Sequence, residues 1–188
     1  MPLGIESHIV NMVVSADLGH PLSLEAVAKL PGTCYRPTVF PGLTYAFAIR
    51  RSFKRCRAKV LLFSSGKMIY AGAKSVPEAR HVVSEVVKRL KEAGIVVLNE
   101  PKVEVQNIVV TASLNRNLDL SKATTALEGA VYEPSHFPAL RYKIHGSNIA
   151  YVIFANGKLN CVGAKSATEA SQAIDKLLLI LREKGLTT

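Results

Sequence analysis

A chain of 188 residues can hold one domain or two small ones, and 48% hydrophobic against 20% charged residues is enough to build a core. Lysine and arginine outnumber aspartate and glutamate by 24 to 14, giving a net charge of +10 and a pI near 9.7; this points to a polyanionic partner, nucleic acid first. No apolar run reaches the ~20 residues of a membrane helix, MPLGIESHIV lacks the basic-then-apolar pattern of a secretory signal, and Cys34, Cys56 and Cys161, without a C-x-x-C among them, do not make a disulfide framework.

In chain order, the elements begin with a strand over His8 to Ala16, rich in Val and Ile. Ser23 can cap a short helix over LEAVAKL, and Pro37 and Pro41 mark turns or strand starts. The apolar run VLLF leads through Ser65-Gly66-Lys67 into a return strand, KMIYAG. Ser75 and Glu78 have capping-box spacing. They precede a helix with Ala79, Val82, Val83, Val86, Val87 and Leu90 at helical spacing, and Gly94 stops it. The same order then recurs: a strand over Val103 to Ser113, a short helix over Leu118 to Leu127, then Pro134 and Pro138. The strands YVIF and KLNCVG follow around Asn156-Gly157-Lys158, where Asn-Gly is a strong hairpin signal. Ser166 and Glu169 cap a second long helix that lines up Ala170, Ala173, Ile174, Leu177, Leu178 and Leu181 and ends at Gly185.

The recurrence is visible residue by residue. LLFSSGKMIYAGAKS (Leu61 to Ser75) matches VIFANGKLNCVGAKS (Val152 to Ser166), with Phe63 and Phe154 91 residues apart. YRPTVFPGLTY matches YEPSHFPALRY at an offset of 97, and VNMVVSADL matches QNIVVTASL at 96. Two copies of one module, 1–98 and 99–188, therefore fill the chain. About six extra residues fall in copy one between Tyr45 and Phe63, in a stretch that holds Arg50, Arg51, Lys54, Arg55, Arg57 and Lys59 and reads as a basic loop, either touching flanking phosphate or only a flexible charged loop. A period near 90 is too long for a solenoid unit; two copies suit a nearly symmetric ligand such as duplex DNA.

Strand, helix, several antiparallel strands, helix is an α+β pattern with helices on one sheet face. The strands are apolar at both parities, as in Val10, Met12, Val13 and Val14, or Ile108, Val109 and Val110. The face away from the helices is thus either a binding surface or covered by a partner or a second copy. Enzymatic chemistry finds no support. His8, His20, His81, His136 and His145 are scattered without metal-ligand spacing, and no P-loop, nucleophile elbow or paired-carboxylate motif is present. The chain is expected to be no enzyme and to need no cofactor or metal. Single-stranded RNA is disfavoured because Trp is absent.

Four doubled motifs resemble the TATA-binding protein family across residues 8 to 186. They are Asn11-Met12-Val13 with Asn107-Ile108-Val109, Phe40-Pro41-Gly42-Leu43 with Phe137-Pro138-Ala139-Leu140, Phe63-Ser64-Ser65-Gly66-Lys67 with Phe154-Ala155-Asn156-Gly157-Lys158, and Gly-Ala-Lys-Ser twice. The resemblance implies a saddle: two tandem pseudo-twofold repeats forming a ten-stranded antiparallel curved sheet with four helices on its convex face. Its concave face would lie on the minor groove of TATA-like double-stranded DNA. Phe40, Phe63, Phe137 and Phe154 match the wedge positions that kink the duplex. Asn11 and Asn107 match central donors to minor-groove acceptors, with Val13, Leu61, Ile69, Val109 and Val152 as the apolar floor. Ser65, Lys67, Lys74, Lys143, Asn156, Lys158 and Lys165 are expected at phosphates, where they give affinity and salt dependence.

The sequence also departs from the family pattern. Ala71 and Val162 stand where a Thr is usual, Asn160 where the groove floor is usually apolar, and Ala46 and Lys143 where an Arg is usual. Loss of two hydroxyls is expected to weaken the preference for a TATA-like site. The function so implied is a general transcription initiation factor that recruits a factor-B-type (IIB-type) protein and, through it, RNA polymerase. The alternative is a divergent paralogue with relaxed or altered specificity, acting as a regulator or architectural protein. The expected location is inside the cell with the DNA, in archaeal cytoplasm or nucleoid, or the nucleus of a eukaryote. Without DNA, the apolar face is a possible homodimer surface.

Overall fold

A computed structural model of the chain describes residues 5–51 and 54–187, with the side chains of Arg51, Lys54 and Arg55 outside that description. The described residues contain nine strands and four helices, and the chain divides into two compact units, Asn11–Gln106 and Met1–Val10 with Asn107–Thr188.

The unit Asn11–Gln106 takes in strand β1 (Ser7–Asp17) from Asn11 onward, helix α1 (Leu24–Val27), strands β2 (Thr33–Tyr35), β3 (Leu43–Arg51), β4 (Lys54–Leu62) and β5 (Lys67–Ala73), and helix α2 (Val76–Glu92). Its strands lie in the order β2-β3-β4-β5-β1, all antiparallel. Helix α1 is shorter than LEAVAKL suggests. Ser23 Oγ accepts the Ala26 N–H at its start, but Leu30 precedes Pro31, which disfavours helical backbone. In addition, Thr33 Oγ1 donates to the carbonyls of Ala28 and Leu30. Helix α2 begins as expected: Ser75 Oγ accepts the Glu78 N–H, and the Glu78 carboxylate reaches back to the Lys74 N–H. Its six predicted apolar positions are all buried. Each such Val or Leu contributes about 1.5–3 kcal/mol by leaving water.

The second unit contains strand β6 (Lys102–Ser113) from Asn107, helix α3 (Leu120–Ala126), strands β7 (Ala139–Lys143), β8 (Ala150–Phe154) and β9 (Lys158–Ala164), and helix α4 (Ala167–Glu183). Its strand order is β6-β9-β8-β7, again antiparallel. Asp119 caps α3, and α4 repeats the capping of α2, with Lys165 N–H on the Glu169 carboxylate at 2.7 Å. The tenth expected strand is reduced to one bridge. Opposite β7, where copy one has β2, only Val131 and Arg141 pair, by two backbone hydrogen bonds.

The stretch Arg50 to Lys59 corrects an expectation: its described residues, 50–51 and 54–59, are strand, not loop, while 52 and 53 lie outside the described residues. β3 and β4 pair in continuous register from Leu43↔Leu62 to Arg51↔Lys54. Tyr45, Phe47 and Ile49 alternate into the core opposite Ala58 and Val60, and that period-2 burial holds the hairpin to the sheet.

Candidate nucleic-acid interface

Within each unit the helices occupy one sheet face. The Arg89 guanidinium of α2 sits 4.8 Å from the Phe47 ring centroid, and Tyr151 Oη of β8 donates to the Ala173 carbonyl of α4 at 2.8 Å. The opposite face is open, and strand parity decides which residues it presents. In β1, Met12, Val14 and Ala16 are buried while Asn11, Val13 and Ser15 are half-exposed; in β6 the same split separates Ile108, Val110 and Ala112 from Asn107, Val109 and Thr111. A register shift between Met12 and Val13 recurs between Ile108 and Val109, so Val13 pairs with Ala71 and Val109 with Val162. Leu61 and Ile69 pair on the first open face, Val152 and Asn160 on the second. The ten sequence-predicted groove residues therefore share the open faces, five in each unit.

The phenylalanines sit at one end of each open face. Phe40 and Phe63 meet edge-on with ring centroids 6.0 Å apart, and Phe137 and Phe154 at 6.3 Å. Phe40 and Phe137 are both 42% exposed, an unusual state for so apolar a group in two related places. Phe40 N–H donates to the Arg36 carbonyl and Phe137 N–H to that of Glu133, so both ride on the same tight turn. Gly42 leaves room for the first pair, because a Cβ there would come within 2.5 Å of the Phe40 ring.

The turn after each hairpin strand is tied to the main chain. Leu18 N–H donates to the Gly66 carbonyl and Leu22 N–H to that of Ser64; Leu114 and Leu118 do the same to Gly157 and Ala155. Gly66 and Gly157 have φ of 88° and 77°, and a Cβ on either would overlap a backbone carbonyl oxygen, of His20 or Arg116. Phe63 and Phe154 are thus held by backbone geometry at defined positions.

The polar groups are also oriented. Asn107 Oδ1 accepts the Gly163 N–H at 2.9 Å, and Asn160 Oδ1 accepts the Thr111 hydroxyl at 2.8 Å, so both amides turn their –NH2 groups outward as donors. Ser65 Oγ and Asn156 Oδ1 accept the N–H of Lys67 and Lys158, which frees the hydroxyl hydrogen and the –NH2 to point out. Lys67, Lys74, Lys143, Lys158 and Lys165 are exposed, and none forms an ion pair among the described residues. Cationic heads without carboxylate partners above an apolar floor suit an anionic, partly apolar ligand.

Other face residues escaped the sequence reading. Ser15 takes the Gln106 –NH2 at 2.7 Å, Thr111 holds Asn160, and Arg141 lies beside Val152 with Glu133 at 3.9 Å. Lys59, which the sequence placed in a basic loop, shares one depression with Thr44, Leu61, Ile69 and Ala71. For Arg141 a signal existed, since it aligns with Thr44 in the doubled Phe-Pro segment. The others reach the face only through register. Among the described residues no group of His, Cys, Asp and Glu is arranged to hold a metal, and no helix is long and apolar enough to cross a membrane.

Comparison with known proteins agrees with this fold. The family model described as transcription factor TFIID, or TATA-binding protein, matches residues 6–93 and again 102–184. The TATA-box-binding protein of Archaeoglobus fulgidus is 38% identical over 95% of this chain and 96% of its own length. That of Pyrobaculum calidifontis is 37% identical over 97% of this chain and 89% of its own. The solved structure titled Methanococcus jannaschii TBP superposes with a TM-score of 0.84 at 37% identity, covering 95% of this chain and 99% of that one. Matched twice by the family model, and over nearly its whole length by these proteins, the chain belongs to the TATA-binding protein family.

Proposed function

We propose that this chain is a general transcription initiation factor that binds TATA-like double-stranded DNA through the minor groove and bends it. Repeat 1 (1–98) and repeat 2 (99–188) each lay an open face on half of the site. The observation that carries this reading is the pair of exposed phenylalanines at one end of each apolar face. An apolar ring driven between base pairs costs roughly a few kcal/mol in unstacking, offset by the extra protein surface that the bent duplex covers. Asn11, Asn107 and Asn160 donate to adenine N3 and thymine O2, acceptors that A·T and T·A share. Val13, Leu61, Ile69, Ala71, Val109, Val152 and Val162 pack on sugars and base edges. The lysines, with Ser65 and Asn156, meet phosphates.

The DNA-bound protein then recruits a factor-B-type protein and, through it, RNA polymerase, inside the cell where the DNA is. Without DNA, the same uncovered faces pair two copies of the chain. The test is FRET across a short duplex labelled at both ends, TATA-containing or GC-rich, with ternary-complex formation scored on adding a factor-B-type protein. Strong bending of the TATA duplex is expected, with Phe40→Ala and Phe137→Ala each removing a large part of it while leaving stability within about 0.5 kcal/mol, as for exposed positions. Unchanged FRET in both variants would remove the wedges from the mechanism.

A further inference from the structure

The hairpin β3–β4 is longer than its counterpart. β3 and β4 each have nine residues, against five in β7 and β8. The added length is not spare chain. Phe47 and Ile49, at 5% and 6% exposure, pack toward the helix side, with Phe47 against Tyr45 and beneath Arg89, itself paired with Glu85. The hairpin is thus anchored from behind, and its other side continues the open face.

That side is basic. Lys59, Arg57 and Arg50 alternate outward, exposed, in line with Leu61 and Thr44. Across the ladder Lys59 faces Ala46 and Arg57 faces Ala48. Small side chains stand where a carboxylate would have neutralised the charge, and none of the three cations forms an ion pair among the described residues. Lys59 already lines the depression that holds Ile69 and Ala71, so the charge begins where the apolar floor ends.

We propose that this face of the β3–β4 hairpin is an additional phosphate-binding surface for duplex DNA, built by copy one alone. It rests on the reading that the open faces bind DNA. The hairpin gripping the backbone beside the groove adds charge-driven affinity without base readout. Successive outward residues on a strand stand about 6.8 Å apart, so the cations form a row and not a point.

The test compares the full chain with the triple variant Arg50→Ala, Arg57→Ala, Lys59→Ala on the same duplex over a salt series. The slope of log affinity against log salt is expected to become shallower by about 0.9 for each phosphate no longer neutralised, about 2.7 for three. FRET-reported bending should persist at saturating protein. The charge-preserving variant Arg50→Lys, Arg57→Lys, Lys59→Arg should keep the parent slope. A triple variant that is folded, by an unchanged melting temperature, and keeps the parent slope overturns the proposal and assigns the patch to a partner other than DNA. Failure of the underlying reading looks different: the parent itself leaves the duplex straight, while the slope comparison still decides whether the hairpin touches phosphate.

Discussion

In the unit Asn11–Gln106 the strand pair beside the floor runs nine residues and ends in cations; in the second unit the equivalent pair runs five and is flanked by a single bridge where copy one has β2. The first floor carries Ile69 beside Leu61, while the second carries Asn160 beside Val152. Yet the phenylalanine pairs, at 6.0 and 6.3 Å, and the backbone ties behind Phe63 and Phe154 are the same. Divergence is thus concentrated in the floor and at the outer strands, and the phenylalanine pair is common to both. One copy carries added cations, and the other carries an added amide, Asn160.

The largest expected effect tests the common part. Gly66→Ala and Gly157→Ala each place a Cβ against a carbonyl oxygen at positive φ. Each should destabilise by about 2–3 kcal/mol and lower the melting temperature by roughly 5–10 °C. Calorimetry on both variants would break the equivalence of the two turns if only one responds.

A smaller effect tests the floor. Asn160→Ile makes the second floor resemble the first and removes a donor fixed by Thr111. A scan of base substitutions along the site should show the copy-two half losing sensitivity by about 1 kcal/mol, the scale of one hydrogen bond. If the two halves stay as unequal as before, Asn160 does not read the groove.

The smallest effect concerns the core. Cys161 occupies the place of Tyr70, and burial, followed by the Glu169 carboxylate, pushes its thiol up to about 11 from an ordinary 9.0. The group stays neutral in the fold but ionises earlier once unfolded. Its contribution is therefore complete below about pH 9 and is lost as pH rises from 9 toward 11. Burial likewise pushes the neighbouring Tyr151 hydroxyl upward. At pH 8, alkylation should label exposed Cys34 and spare Cys161 until denaturant is added. Early labelling of Cys161 would show that the second unit opens more readily than this packing allows.

Much of this was legible in the residues. The long helices declared themselves through capping pairs and six apolar positions at one spacing, because a helix packed on one side must be amphipathic. The paired phenylalanines and the asparagines of the open faces stood out because the chain states them twice. Strand parity was not: Val10, Met12, Val13 and Val14 are apolar throughout, and an open face that is itself apolar erases the usual alternation. The hairpin was hidden for the opposite reason. RRSFKRCRAK reads as solvated charge, although Phe47, Ile49, Ala58 and Val60 carried a period of two beneath it. Thr111 and Ser15 gain their places through cross-strand register, which pairs residues far apart in sequence.

The ties that hold Phe63 and Phe154 run from main chain to main chain, from Leu18, Leu22, Leu114 and Leu118 to the two turns. Such a scaffold is nearly blind to side-chain identity: Ser64-Ser65 in one copy and Ala155-Asn156 in the other are positioned alike, and only the glycine that follows is demanded by geometry. A duplicated module built this way is free to drift, each half acquiring its own surface chemistry while the phenylalanine it carries keeps its place within its own unit.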